Sequence, residues 1–143
     1  MGTWGMGTFE NDDAADWVHE LQASDDGAAL QTALEGHAVR EDYLEAPDGV
    51  HILCAGEIIA ALLGQPAPDL PTAAGDWVQE HESLDVSSLV PIAIKKIERV
   101  LDNGSELREL WQENEIDYST WHENVLALKA KLLAATNTMP RTA

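Results

Sequence analysis

Four side chains near the start of the chain have the types and spacing that metal chemistry needs. Asp12, Asp16 and Glu20 recur at intervals of four residues, and His19 stands beside the last of them. Residues four apart share one face of a helix, and carboxylates with an imidazole suit Mg²⁺, Mn²⁺ or Zn²⁺. The same carboxylates suit the first turns of a helix, where the helix dipole favours negative charge. The pattern therefore fits either a metal site or a solvated acidic helix face, and we favour the second interpretation.

No other group of residues in the sequence forms a recognisable catalytic constellation. The five histidines stand singly, and none falls in a His-Glu-x-x-His pattern. The single cysteine, Cys54, excludes an internal disulfide framework and lies in an apolar stretch typical of a buried, unreactive thiol. Gly2, Gly5 and Gly7 are followed by no Lys-Ser/Thr pair, so they form no phosphate-binding loop. We expect no catalytic residue and no cofactor, and the sequence leans away from an enzyme.

The first ten residues are predicted to form an extended strap pinned onto the body of the protein. Residues 1–10 combine glycines, which relax the restrictions on the backbone, with the aromatic side chains of Trp4 and Phe9. Aromatic side chains bury a large area each and make good anchors. We therefore assign Trp4 and Phe9 the role of structural anchors, together with Trp17 in the helix that follows.

Apolar residues at helical spacing predict that the rest of the chain is helical. Asn11 or Asp12 can cap the first helix, whose apolar face consists of Ala14, Trp17, Val18 and Leu21. Further helices are expected over about residues 27–40, 47–63 and 71–81. Ser87 or Ser88 and then Ser105 are expected to cap two more helices, and a capping box from Thr120 to Glu123 to begin the last one.

These elements predict an all-α fold with a single domain. The helix over 47–63 is apolar on most of its circumference, which marks a central helix buried on several sides. No alternating apolar run flanked by hairpin signals predicts a strand. We expect a compact bundle of about six or seven helices over residues 1–136 and a disordered tail over residues 137–143.

Charge is the strongest global signal. The chain holds 26 acidic residues against 8 basic ones, a formal net charge of −18. Residues 1–94 contain 18 acidic residues and one basic residue, a net of −17, whereas residues 95–143 contain 8 and 7, a net of −1. Such a surface repels phosphates, so we expect no direct nucleic-acid or membrane binding. It would attract a basic protein partner, and acidity that only confers solubility is the alternative.

The sequence contains no segment that targets or inserts the protein elsewhere, so we expect a cytoplasmic protein. The N-terminus lacks the basic region and apolar core of a signal peptide. The longest apolar stretch, residues 50–63, is interrupted by His51 and Glu57 and is too short to span a bilayer.

The opening run resembles the start of a bacterial family of unknown function. The chain begins Gly2-Thr3-Trp4-Gly5-Met6-Gly7-Thr8-Phe9-Glu10-Asn11-Asp12, which is similar to the Gly-x-Trp-Gly-x-Gly-x-Phe-Asp/Glu-Asn-Asp opening of the domain-of-unknown-function family four-two-five-nine. The run Leu62-Leu63-Gly64-Gln65-Pro66 is similar too, whereas Thr8 stands where proline is expected. The resemblance implies no established activity, so it carries over no site residue.

Three functions remain open at this point. The first is a small acidic interaction module that presents Asp12, Asp16 and Glu20 to a basic partner protein, as an inhibitor, an immunity factor or a phosphate mimic. The second is a metal-dependent enzyme that uses Asp12, Asp16, His19 and Glu20. The third is a structural subunit of a larger assembly. The sequence does not indicate an oligomeric state.

Overall fold

The computed structural model describes residues 9, 11–24, 26–35, 43–68 and 70–138. These residues form seven helices, which are α1 (Asp12–Gln22), α2 (Ala28–Glu35), α3 (Ala46–Leu62), α4 (Thr72–Glu80), α5 (Val90–Leu101), α6 (Glu106–Gln112) and α7 (Glu115–Thr138). The same ranges contain no β-strand, and Leu44 and Ser105 form an isolated parallel bridge. The prediction of a compact all-α bundle is confirmed.

Helix α3 is the centre of the bundle and packs against each of the other six helices. Every residue from 49 to 61 is buried except His51, which is half-buried. Gly56 lets two neighbours approach closely, since a Cβ there would lie 3.1 Å from Leu128 Cδ2 and 3.2 Å from Ile97 Cδ1. None of the helices in the described ranges, α3 included, combines the length and the apolar composition needed to cross a bilayer.

The end of α3 shows how the local sequence stops the helix. Gly64 adopts a φ of +92°, which favours glycine over other residues. Its N–H donates to the carbonyl of Ala61, and the N–H of Gln65 donates to the carbonyl of Ala60. This pair of hydrogen bonds is the Schellman motif, which satisfies the last carbonyls of a helix. It explains why α3 ends at Gly64, as the sequence predicts.

Helices α1 and α4 use one sequence pattern in the same way. Asp-Trp-Val-x-Glu occurs at residues 16–20 of α1 and 76–80 of α4. In both helices the tryptophan and valine are buried while the aspartate and glutamate are exposed. The helices pack against each other, and the indole Nε1 of Trp77 donates to the Ser24 carbonyl at 2.9 Å. In both helices, this pattern places the indole in the core and the carboxylates on the exposed side.

The start of α1 agrees with the sequence, but the start of α5 does not. Asn11 caps α1, since its Oδ1 accepts from the Ala14 N–H at 2.8 Å. Helix α5 begins after Leu89 with no side-chain cap. Ser87, one of the two predicted caps, instead donates through its hydroxyl to Asp85 at 2.6 Å, and this bond lowers the pKa of that carboxyl. The predicted serine cap is therefore wrong.

The last helix begins earlier than its capping box predicts. Helix α7 starts at Glu115 and passes through Thr120 without a break. Asn114 provides the start, because its Oδ1 accepts from the Asp117 N–H at 3.3 Å, as a capping residue does. The predicted box at residues 120–123 is therefore an interior segment of the helix.

A backbone clamp ties the start of α3 to the start of α6. The N–H of Leu44 donates to the Gly104 carbonyl at 2.7 Å, and the N–H of Glu106 donates to the Leu44 carbonyl at 2.8 Å. The carboxylate of Glu106 also accepts from the N–H of Ala46 at 2.8 Å. Ser105, fully buried beside the clamp, caps α6 as predicted. We call these contacts the 44–106 clamp.

Several predictions concern residues outside the described ranges. Of the predicted strap, Phe9 is buried at 5% exposure, whereas Trp4 and the remaining strap residues lie outside the described part. The predicted end of α2 beyond Glu35 also lies outside it. Helix α7 continues to Thr138, so the first two residues of the predicted tail are helical, and residues 139–143 are not described.

Candidate functional site

The carboxylates singled out in the sequence form a row on the exposed side of α1. Asp12, Asp16 and Glu20 are all exposed and lie at successive helical turns, and His19 is exposed beside them. In the described part of the chain, none of the three carboxylates forms an ion pair with a basic side chain. We call these three residues the acidic row, and its charge is open to the solvent.

Three basic side chains of the described ranges form their contacts in the second half of the chain, away from the acidic row. Lys129 pairs with Glu98 at 3.0 Å, and Lys131 pairs with Glu57 at 3.0 Å. Arg99 donates to the carbonyls of residues 103 and 104, both at 3.2 Å. These cations therefore stabilise contacts of α3, α5 and α7 and leave the acidic row unneutralised.

Helix α4 carries a second line of carboxylates next to the first. Asp76 and Glu80 are exposed one helical turn apart. Because α4 packs against α1 and both helices bury their tryptophans inward, the two lines of carboxylates lie on neighbouring helices. Exposed carboxylates therefore occur on both of these packed helices.

An open cleft of about 330 Å³ lies where α1, α2 and α3 meet. The titratable side chains that line it are Glu20, from the acidic row, and Asp48 and His51, from the first turns of α3. Trp17 and several alanines of α2 supply an apolar wall. Two carboxylates at an open cleft suit a cationic group, such as a lysine or arginine side chain.

The structure brings together residues that the sequence did not connect. No pattern in the sequence marks Asp48 and His51 as site residues, although their spacing of three residues places them on one face of a helix. Only the packing of α1 against α3 sets them around the same cleft as Glu20. Asp12, Asp16 and His19 do not line that cleft.

The described residues do not support the interpretation of the acidic row as a metal site. In the described ranges, no three side chains of His, Cys, Asp or Glu are grouped so that they could hold a metal ion. Carboxylates one helical turn apart on an exposed face already have a structural reason to be there, since those at the start of α1 interact with the helix dipole.

We expect chelation to leave the stability of the protein unchanged. A metal that binds only the folded state stabilises it by mass action, so removing such a metal with excess EDTA would lower the melting temperature. The expected result is a melting temperature that stays within about 1 °C, measured by differential scanning fluorimetry. A drop of several degrees would contradict this prediction if one divalent ion restored the melting temperature and Asp12→Asn with Asp16→Asn abolished the effect.

Cys54 lies at the centre of the bundle and not in the cleft. Its side chain is fully buried in α3. Desolvation, followed by the negative charges of Glu57 and Asp13, raises the pKa of the Cys54 thiol well above its ordinary value. A nucleophilic cysteine must be a thiolate that a substrate can reach. Cys54 therefore contributes to core packing, as the sequence indicates.

Together the fold and the site define a small, acidic, all-helical protein organised around a buried central helix. A family model described as Domain of unknown function (DUF4259) matches residues 2–124. The chain belongs to this family, and the match extends from the opening run into α7. No significant match was found among curated proteins or among solved structures.

Proposed function

We propose that this protein is an acidic interaction module that binds a basic partner protein through the surface of α1 and α4. The observation that carries the proposal is the acidic row, whose three carboxylates are exposed and form no ion pair within the described residues. The net charge of −17 over residues 1–94 adds a long-range field of the same sign. Such a surface suits an inhibitor, an immunity factor or a mimic of phosphate groups.

The cleft beside the acidic row supplies a second step of recognition. A field attracts a basic partner from a distance, but tight binding needs an anchor in a desolvated pocket. Glu20 and Asp48 offer carboxylates at the cleft, and Trp17 forms part of its wall. We propose that a lysine or arginine side chain of the partner occupies this cleft while the rest of the partner lies over the acidic row.

The metal-dependent enzyme is less well supported than the interaction module. It needs converging ligands, whereas Asp12 and Asp16 do not line the cleft and no metal-ligand cluster occurs in the described ranges. A role as a structural subunit is compatible with the acidic surface but has no observation of its own.

The association rate with the physiological partner should fall steeply as salt is added. Raising the salt from 0.1 M to 1 M shortens the screening length from about 10 Å to about 3 Å and weakens the attraction to the acidic row. A partner recovered by pull-down from the native host would be studied by surface plasmon resonance at several ionic strengths. Asp12→Asn with Asp16→Asn, at two residues that do not line the cleft, should lower the association rate roughly three- to tenfold at low salt.

A matched control removes the same charge from another surface. Glu113→Gln with Glu115→Gln neutralises two exposed carboxylates at the start of α7 and should change the association rate much less. Asp48→Asn should mainly speed dissociation, because it acts on the anchored side chain. An association rate indifferent to salt, or a partner that is itself strongly acidic, would contradict the proposal and leave the acidity as a solubility trait.

A further inference from the structure

The cleft between α1, α2 and α3 contains one side chain of the type that changes its charge near neutral pH, which is His51. It lies in α3 three residues after Asp48, and both side chains are half-buried. Glu20 of α1 lines the same cleft, so the imidazole shares it with two carboxylates. Histidine side chains ordinarily gain or lose a proton between about pH 5 and 8, a range in which carboxylates ordinarily stay ionised.

These three side chains have no partner in the part of the chain that the structure describes. None of the hydrogen bonds and ion pairs there involves the carboxylate of Glu20, the carboxylate of Asp48 or the imidazole of His51. A neutral imidazole has one ring nitrogen that accepts a hydrogen bond, and an ionised carboxylate accepts several. All three groups are therefore available to a cation that enters the cleft.

The other elements around the cleft add no charge to it. Helix α2 contributes alanines and Thr32, and the turn after α1 contributes Ala23 and Ser24. Helices α4, α5, α6 and α7 contribute none of the residues that line the cleft. Among the described residues, the charged groups that share the cleft with His51 are therefore Glu20 from α1 and Asp48 from α3.

We infer that His51 makes the binding of the basic partner dependent on pH, an inference that rests on the proposed function. While the imidazole is neutral, both carboxylates are available to a lysine or arginine side chain of the partner, and a ring nitrogen can accept a hydrogen bond from it. A protonated imidazole interacts with the same two carboxylates and places a positive charge beside the incoming cation. The proton and the partner's side chain therefore compete for the cleft, and acidification releases the partner.

The direction of the effect follows from linkage. If a proton on His51 weakens the binding of the cation, the bound cation weakens the binding of that proton by the same factor. The affinity for the cation is therefore highest above the pH range in which histidines titrate and falls as the pH drops through that range. The effect of pH is local to the cleft, whereas salt acts on the acidic row through the association rate.

A hexalysine peptide is a suitable probe, because its own charge stays constant. Lysine, aspartate and glutamate side chains ordinarily keep their charges between about pH 5.5 and about pH 7.5. Binding of the peptide to the full chain would be measured by isothermal titration calorimetry at these two pH values and constant salt. The dissociation constant of the wild type should be roughly three- to thirtyfold higher at the lower pH, as expected for two like charges in one open cleft. Equal affinity at both pH values would overturn the inference.

Substitutions of His51 test whether this residue is responsible. His51→Gln has no group that titrates and should lose most of the pH dependence. His51→Lys keeps a positive charge in the cleft, so at the higher pH it should bind the peptide about as weakly as the wild type does at the lower pH. His122→Gln is the matched control, since His122 is also half-buried but lies on α7, and it should respond to pH like the wild type. A wild-type response in His51→Gln would overturn the inference.

Asp48→Asn separates a failure of this inference from a failure of the proposed function. It removes one of the two carboxylates and should weaken the binding of hexalysine at the higher pH. Undetectable binding of the peptide to the wild type, or unchanged binding to Asp48→Asn, would contradict the proposed anchor in the cleft and the inference with it. If Asp48→Asn weakens binding while His51→Gln still responds to pH like the wild type, the cleft holds the cation and only the role of His51 is wrong. Unchanged helical circular dichroism at both pH values would verify that each variant is folded.

Discussion

Trp17→Ala should reduce the free energy of unfolding by about 3–5 kcal/mol, as removal of a buried indole does. Trp17 is 2% exposed on the inner face of α1, and α1 packs against α2, α3 and α4. Its loss would leave a cavity where these helices meet. For a domain of this size the expected fall in melting temperature is about 10 °C or more, measured by thermal denaturation followed by circular dichroism.

Trp111→Ala provides a matched control for Trp17→Ala. Trp111 is half-buried and stacks on Trp121 with the ring centroids 6.2 Å apart. Because this ring already contacts solvent, its removal should lower the melting temperature clearly less. Trp17→Phe, which refills part of the cavity, should fall between the wild type and Trp17→Ala. A Trp17→Ala protein that melts within about 3 °C of the wild type would contradict the burial of this side chain.

Lys131→Met should destabilise the protein through the carboxylate that it leaves behind. Glu57 lies in α3 with 8% exposure, and its Oε1 accepts from the Lys131 ammonium at 3.0 Å. Removing one partner of a buried ion pair costs about 3–5 kcal/mol. The Lys131 side chain is 26% exposed, so solvent screens the pair and we expect a smaller loss of about 1–3 kcal/mol, measured by urea denaturation.

The double variant Glu57→Met with Lys131→Met separates the charge from the packing. Apolar side chains of similar length leave no buried charge, and such replacements are often neutral. The double variant should therefore be more stable than Lys131→Met alone, and the cycle of four proteins gives the coupling between the two residues. Additive losses would show that the two side chains do not interact.

Helices could be predicted from the sequence where their apolar residues contribute to the hydrophobic core. Ala14, Trp17, Val18 and Leu21 predict the inner face of α1, and all four are buried. The apolar circumference of α3 likewise predicts its central position. Both predictions are confirmed. The burial of a helix determines which of its positions are apolar, on one side for α1 and on most sides for α3, and that pattern can be seen in the sequence.

Helix starts were less predictable, because several polar residues near a start can all serve as caps. At α5, Asp85 takes the hydroxyl of Ser87 for a local turn. At α7, Asn114 caps the helix before Thr120 is reached. Tyr118 supports the early start, since its ring lies 5.9 Å from that of Trp121 one turn later. A sequence motif that is typical of a helix start does not exclude a capping residue earlier in the chain.

The candidate site was predictable in its charge but not in its shape. The acidic row follows from the spacing of Asp12, Asp16 and Glu20 along one helix. The cleft depends on which helices become neighbours, and Asp48 and His51 approach Glu20 only through the packing of α3 against α1. Contacts between residues some thirty positions apart leave no periodic signal in a single sequence.

The 44–106 clamp has a consequence for the synthesis of the protein on the ribosome. The backbone groups at the start of α3 find their partners about sixty residues later in the chain, at residues 104 and 106. At about 5–20 residues per second, this separation corresponds to a delay of roughly 3–12 s. The central helix therefore emerges long before the segment that fixes its first turn and before α5, α6 and α7, which cover part of its apolar surface. During that interval the growing chain exposes α3, its most apolar segment. The many acidic residues on either side of α3 repel other nascent chains and so help to keep them apart.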